Sequence, residues 1–268
     1  MRSPVIIILI LISHCSFADE VIEKKWELGL GVGDIYGPDY RGSDEYRNYA
    51  SPIPYVIYRG KYIQSDRDGL RGKLFKSDRY EFTFSATATI SQKADENKAR
   101  EFMPELGSTI EMGPALNIQL TEKNAANSLM LQVPLRAVIA ATGSARGYSG
   151  LVFEPQFIFR KNFSNWAYTQ RLGASFASRE YHDYYYGVDQ EFVTPERSSY
   201  DAHGGYSGFF TQAAISRSLQ LGNEEIKLAF FLRYDNLDNV AFADSPLVKT
   251  NHALRGGFAF VWVINDYE

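Results

Sequence analysis

The chain has 268 residues, a net charge of −4 and 15% aromatic residues. So small a charge offers no basic field to hold nucleic acid, and beyond the N-terminus no run approaches the roughly 18 uninterrupted apolar residues of a membrane helix. The single cysteine, Cys15, excludes a disulfide framework.

Met1-Arg2 supplies a positive charge, Val5 to Ile12 a short apolar core, and Ser16-Phe17-Ala18 the small residues that a signal peptidase reads. We expect a signal peptide over residues 1–18, cut after Ala18, rather than a retained anchor. His14 stands where a lipoprotein signal wants a small residue, which argues against lipidation of Cys15. The mature chain, 19–268, would carry no cysteine, which suits the oxidising bacterial envelope.

Trp26, Leu28, Leu30 and Val32 alternate with Glu27, Gly29, Gly31 and Gly33, the pattern of a strand with small residues on its wet side. Asp34 to Asn48 reads as a polar loop. Ala50 to Tyr58 is the next strand, with Ile53, Tyr55 and Ile57 as its apolar set and Pro52 and Pro54 weakening its ladder. Lys61 to Lys76 is either two short strands around Arg67-Asp68-Gly69 or one irregular turn. Tyr80 to Ser91 is the clearest element: Tyr80, Phe82, Phe84, Ala86, Ala88 and Ile90 face one way, and Glu81, Thr83, Ser85, Thr87, Thr89 and Ser91 the other. Soluble strands run about five or six residues, whereas a tilted strand needs about nine to eleven to cross a bilayer. We read the apolar side as facing lipid, so an arginine at Thr83 should cost much less than one at Phe84 if the lumen has room.

The pattern repeats over Thr109–Thr121, Ser128–Ala140, Gly150–Lys161, Trp166–Ser178, Tyr206–Ser218, Ile226–Asp235 and Ala253–Ile264. Long connections, including the tyrosine-rich Arg179–Gly205, alternate with tight turns, and aromatics gather near strand ends. No helical stretch of useful length is expected. These features predict an all-β fold: a closed antiparallel transmembrane β-barrel of 12 strands, or 10, with short periplasmic turns and long extracellular loops. A soluble β-sandwich would rarely hold so many long strands, and closure leaves no unpaired sheet edge in hydrocarbon.

Leu28-Gly-Leu-Gly-Val-Gly33, Pro38-Asp-Tyr-Arg-Gly-Ser-Asp-Glu45 and Pro52-Ile-Pro-Tyr-Val-Ile-Tyr-Arg-Gly60 stand in that order. Met103-Pro-Glu-Leu106, Glu111-Met-Gly-Pro-Ala-Leu116, Tyr184-Tyr-Tyr-Gly-Val188, Arg197, Tyr200, Gly204-Gly-Tyr206 and Asp244-Ser-Pro-Leu-Val248 follow. In these residues the chain resembles the MipA/OmpV outer-membrane proteins over nearly its whole mature length. The resemblance implies a Gram-negative outer-membrane location. It also implies a scaffold between a lytic transglycosylase and a peptidoglycan synthase of the penicillin-binding type, or else a porin-like or adhesive role. One departure is the C-terminus. Barrels commonly finish on an aromatic, but here Asn265-Asp-Tyr-Glu268 follows the last strand, leaving Tyr267 or Trp262 as the assembly signal.

Nothing in the sequence assembles a catalytic, cofactor or metal site. His182, His203 and His252 fall in long connections and read as surface residues, with no serine or carboxylate pair at a spacing that implies hydrolysis. A barrel enzyme remains the lesser alternative to a non-enzymatic barrel whose ligand is membrane lipid. The wet face carries Glu111, Arg136, Glu154, Arg160, Arg171, Lys227, Arg233, Asp235 and Arg255, in which basic groups outnumber acidic ones. They form either a paired structural network or a weakly anion-attracting pore. Tyr184, Tyr185, Tyr186 and Tyr200 either fold over the barrel mouth or make a contact surface.

Overall fold

The structure, a computed structural model, describes residues 26–60, 63–66, 69–89, 96–122, 127–143, 146–222 and 224–267. The expected signal peptide lies outside them. In chain order the strands are β1 (Trp26–Pro38), β2 (Tyr46–Arg59), β3 (Ile63–Asp66), β4 (Gly69–Lys76), β5 (Tyr80–Thr89), β6 (Thr109–Gln119), β7 (Asn127–Ala140), β8 (Gly147–Phe153), β9 (Gln156–Phe163), β10 (Trp166–Ala177), β11 (Gly205–Leu221), β12 (Glu224–Asn236) and β13 (His252–Tyr267). Sequence neighbours pair antiparallel, and β1 pairs with β13 as well as with β2, so the sheet closes on itself. β7 and β10 each pair with both β8 and β9, which therefore form one interrupted stave in a ring of twelve. The interruption is Glu154-Pro155. Proline has no N–H to donate, but the Pro155 carbonyl still accepts from the Ala174 amide at 3.2 Å.

Alternation sets the two faces. In β5, Phe84 is 45% exposed outward and Thr83 is 1% exposed inward. Phe230, Phe258, Phe260 and Trp262 continue the outer apolar band on β12 and β13. Paired aromatics mark both rims: Trp26 with Tyr58 at 4.2 Å at the periplasmic end, and Tyr36 with Tyr46 at 5.5 Å at the outer end.

The structure departs from the sequence reading in several places. Ile53, Tyr55 and Ile57 turn into the lumen rather than toward lipid. The cause lies on β1, whose inward positions are glycines: Gly29 sits between Tyr55 and Val263, and Gly31 between Ile53 and Val261. A Cβ at Gly31 would fall 2.4 Å from the Phe260 carbonyl and 2.8 Å from Val261. The space the glycines leave is filled by Tyr55, Ile57, Val261 and Val263, which form an apolar cluster along one inner wall. The same interior leaves little room at Thr83, whose hydroxyl donates to the Ala115 carbonyl at 3.4 Å. An arginine there is overpacked rather than tolerated.

The polar loop expected over 34–48 shrinks to 39–45, because β1 and β2 stay in register as far as Pro38 and Tyr46. Lys61 to Lys76 contains the two short strands β3 and β4. Asn265, Asp266 and Tyr267, expected after the last strand, belong to it, and Tyr267 pairs with Trp26. The connection after β10 holds a helix, α1 (Arg179–Tyr186), that strand periodicity did not suggest.

Candidate functional site

The lumen is furnished in tiers. Near the periplasmic end, Lys227 is 1% exposed and its ammonium contacts the Glu27 carboxylate. Lys227 also lies 3.1 Å from the Tyr55 hydroxyl and 3.5 Å from Glu225. Glu27 receives the Tyr55 hydroxyl at 3.0 Å and the Arg59 guanidinium at 2.8 Å. Three side chains, Tyr55 and Arg59 from β2 and Lys227 from β12, thus bind the Glu27 carboxylate of β1 into the wall. Arg160 shares the inward face of β9 with Ile158, which is fully buried.

Across the opposite wall runs a ladder of amides. Gln132 donates to Asn117 at 3.0 Å, Gln156 donates to Gln132 at 3.0 Å, and Arg171 donates to Gln156 at 3.3 Å. Each link joins neighbouring staves, since inward residues on paired strands lie side by side.

Toward the outer end the charges cluster. Arg136 lies 3.8 Å from both Glu111 and Glu154. Arg233 forms a fork with Asp235 at 2.8–3.1 Å, with its guanidinium 4.1 Å over the Phe210 ring. Arg41, from the 39–45 connection, donates to the Ser207 carbonyl at 3.0 Å and its hydroxyl at 2.9 Å, and sits 3.9 Å from Asp235. Arg255 faces Asp235, Arg233, Arg41 and Tyr185.

Above this tier the outer connections close over the mouth. Ser178 is extended ahead of α1, Glu180 occupies the first turn and Gly187 ends the helix. Residues four apart share a helix face. His182 and Tyr186 are buried, while the Tyr181 and Tyr185 rings meet at 5.0 Å, tilted by 56°. The helix presses on β8 where Gly150 has φ +106°, and a Cβ there would lie 2.4 Å from the Tyr181 amide. Tyr186 stacks on Phe242 at 3.7 Å, and His182 meets the same ring at 4.7 Å. Tyr40, Leu106, Val188, Leu237, Val240 and Leu247 complete the apolar cap. Polar ties lock it: the Tyr186 hydroxyl donates to the Arg41 carbonyl at 3.0 Å, and Tyr40 donates to the Leu247 carbonyl at 2.8 Å. Burial holds the His182 imidazole down at about 4, against the pull of its 2.6 Å contact with the His203 carbonyl. Burial raises the Tyr186 phenol to about 12.

A closed ring of twelve lipid-banded staves with a capped, charged interior is an outer-membrane barrel, and its sequence matches the family described as MltA-interacting protein MipA over residues 30–264. The chain belongs to the MipA family. No curated protein sequence matches it. Among solved structures it is similar to an outer membrane channel from Pseudomonas putida F1, at 14% identity and TM-score 0.38 over 91% of this chain and 97% of that one. It is similar also to a bacterial polysaccharide outer membrane secretin, at 10% identity and TM-score 0.38 over 91% and 100%. The outer membrane protease OmpT of Escherichia coli follows at 8% identity and TM-score 0.31 over 94% and 97%. The MipA-family chain resides in the Gram-negative outer membrane.

All nine charged residues singled out in the sequence line this family member's lumen, but in separate tiers. Lys227 belongs to the periplasmic cluster, Arg160 to the inward face of β9, Arg171 to the amide ladder, and Glu111, Arg136, Glu154, Arg233, Asp235 and Arg255 to the outer tier. Tyr184, Tyr185, Tyr186 and Tyr200 pack in or against the cap. His182, read as a surface residue, has 0% exposure, because the helix carries it inward beneath Phe242. His203 and His252 are exposed. Sequence reasoning missed Arg41, Arg59 and Glu27. Glu27 alternates with Trp26 and Leu28 and so carried a signal, whereas Arg41 lies in a connection, where no periodicity reports which way a side chain turns.

Proposed function

We propose that this MipA-family barrel is a non-enzymatic envelope scaffold. Its barrel anchors it in outer-membrane lipid, and its periplasmic turns recruit murein enzymes, a lytic transglycosylase together with a penicillin-binding synthase. The family's description as MltA-interacting supports the choice of partner. The observation that carries the reading is the cap: α1 and the connections around it fill the outer mouth with an apolar cluster tied by buried hydrogen bonds. A barrel stoppered in this way serves better as an anchor than as a conduit. The closest approach to an acid–base group, His182, is committed to the His203 carbonyl inside that cluster.

Chemical crosslinking in cells followed by purification of the barrel is expected to recover both murein enzymes. Recovery of neither would overturn the scaffold reading. A narrow porin-like channel is the second reading, favoured by the three arginines gathered around Asp235 in the outer lumen. Planar-bilayer recordings separate the two: the scaffold reading expects no steady conductance from the capped barrel, and an open, anion-preferring current would favour the channel.

A further inference from the structure

The outer charge tier is lopsided. Around Asp235 stand Arg41, Arg233 and Arg255, three guanidiniums to one carboxylate. Arg233 takes up Asp235 through its fork, and Arg41 is held by Ser207. Arg255 makes neither a hydrogen bond nor an ion pair among the described residues, and its Nε is shut from solvent without an acceptor. Its stem is fixed, since it lies across Gly37, where a Cβ would come within 2.9 Å of the Arg255 Cγ. A guanidinium held beside two others, with its Nε cut off from water and from any acceptor among the described residues, is unfavourable, because like charges repel and that nitrogen's lost hydration is not replaced. The opposite half of the tier does not supply the missing acceptor. Glu111 and Glu154 flank Arg136 at 3.8 Å and also face Arg41 and Arg233, and neither makes a hydrogen bond or ion pair with Arg255 among the described residues.

We propose that Arg255, with Arg41 and Arg233 beside it and Tyr185 above it, forms a binding site for a small oxyanion, a carboxylate or phosphate group held beneath the cap. The planar guanidinium donates two parallel hydrogen bonds to such a group. The anion balances the surplus positive charge and supplies the acceptor that Arg255 lacks. The site lies beneath the cap, at the other end of the barrel from the periplasmic turns proposed to recruit the murein enzymes.

Isothermal titration of the purified full chain in detergent with inorganic phosphate, replacing chloride at constant ionic strength, tests the site. A second arm with acetate distinguishes phosphate from carboxylate. One saturable site is expected for at least one of the two probes. Arg255→Gln weakens it about tenfold or more, and Lys161→Gln leaves it unchanged. If Arg255→Gln does not fold, Arg255→Lys keeps the charge but loses the fork and still weakens binding. Absence of saturable heat with both probes would overturn the proposal, as would equal affinity in the wild type and the folded Arg255 variants. Crosslinked recovery of murein enzymes by the Arg255 variant reports on the scaffold reading independently.

Discussion

Glu27→Gln is the most revealing single change in the barrel wall. The Glu27 carboxylate contacts Lys227 and accepts from Tyr55 at 3.0 Å and Arg59 at 2.8 Å. Neutralising it deprives Lys227, 1% exposed, of the carboxylate it contacts most closely, while Glu225 stays at 3.5 Å. Removing one partner of a buried pair costs about 3–5 kcal/mol, because the survivor keeps its desolvation penalty. The partial exposure of Glu225 places the expected loss toward the lower end, at about 3 kcal/mol. Lys227→Met is milder, about 1–2 kcal/mol, since Glu27 keeps Arg59 and the Tyr55 hydroxyl. The double variant should lose less than the two single losses added together, by about 1–3 kcal/mol, since it abandons no buried charge on the lysine side. Urea unfolding in liposomes, followed by heat-modifiable gel mobility, measures all three. Equal losses from the two single changes, or strict additivity in the double, would refute the account of Glu27 as the hub.

Three further outcomes are expected. Phe84→Arg, in the middle of the outward face of β5, should destabilise the barrel by about 2–4 kcal/mol in the same unfolding assay; a neutral result would remove Phe84 from the lipid face. Gly150→Ala forces a side chain into a φ of +106° and against the Tyr181 amide. It should loosen the cap by about 1–3 kcal/mol, seen as faster proteolysis within residues 178–204. The cap should also weaken in acid. His182 is neutral when buried, with its value lowered from 6.5 to about 4, so closure is fully stable above pH 6.5 and loses stability as pH falls from there toward 4. The total amounts to about 3 kcal/mol. Proteolysis of the cap should therefore accelerate as pH falls from about 6.5 toward about 4, and His182→Phe should abolish that acceleration.

The membrane-facing pattern was legible because alternation is local. Phe82 and Phe84 oppose Thr83 and Ser85 whichever strands come to lie beside them. Ile53, Tyr55 and Ile57 alternate equally well, yet they face the lumen. Their direction was decided by Gly29 and Gly31 on β1, which only strand pairing brings alongside. Helix α1 was hidden for a related reason. His182 and Tyr186, like Tyr181 and Tyr185, recur at a spacing of four, but one short tyrosine-rich helix gives too few repeats to stand out. The charges were visible one by one. That Lys227 meets Glu27, 200 positions away in sequence, depended on closing the ring.

The sequence alone determined the class of this protein: long two-faced strands joined by alternately short and long connections, a pattern that hydrocarbon on one side and water on the other impose residue by residue. Tertiary structure decided what fills the barrel. Lumen contacts join residues from staves far apart in the chain, so the apolar wall, the Glu27 hub, the arginine cluster around Asp235 and the cap exist only once β13 has met β1.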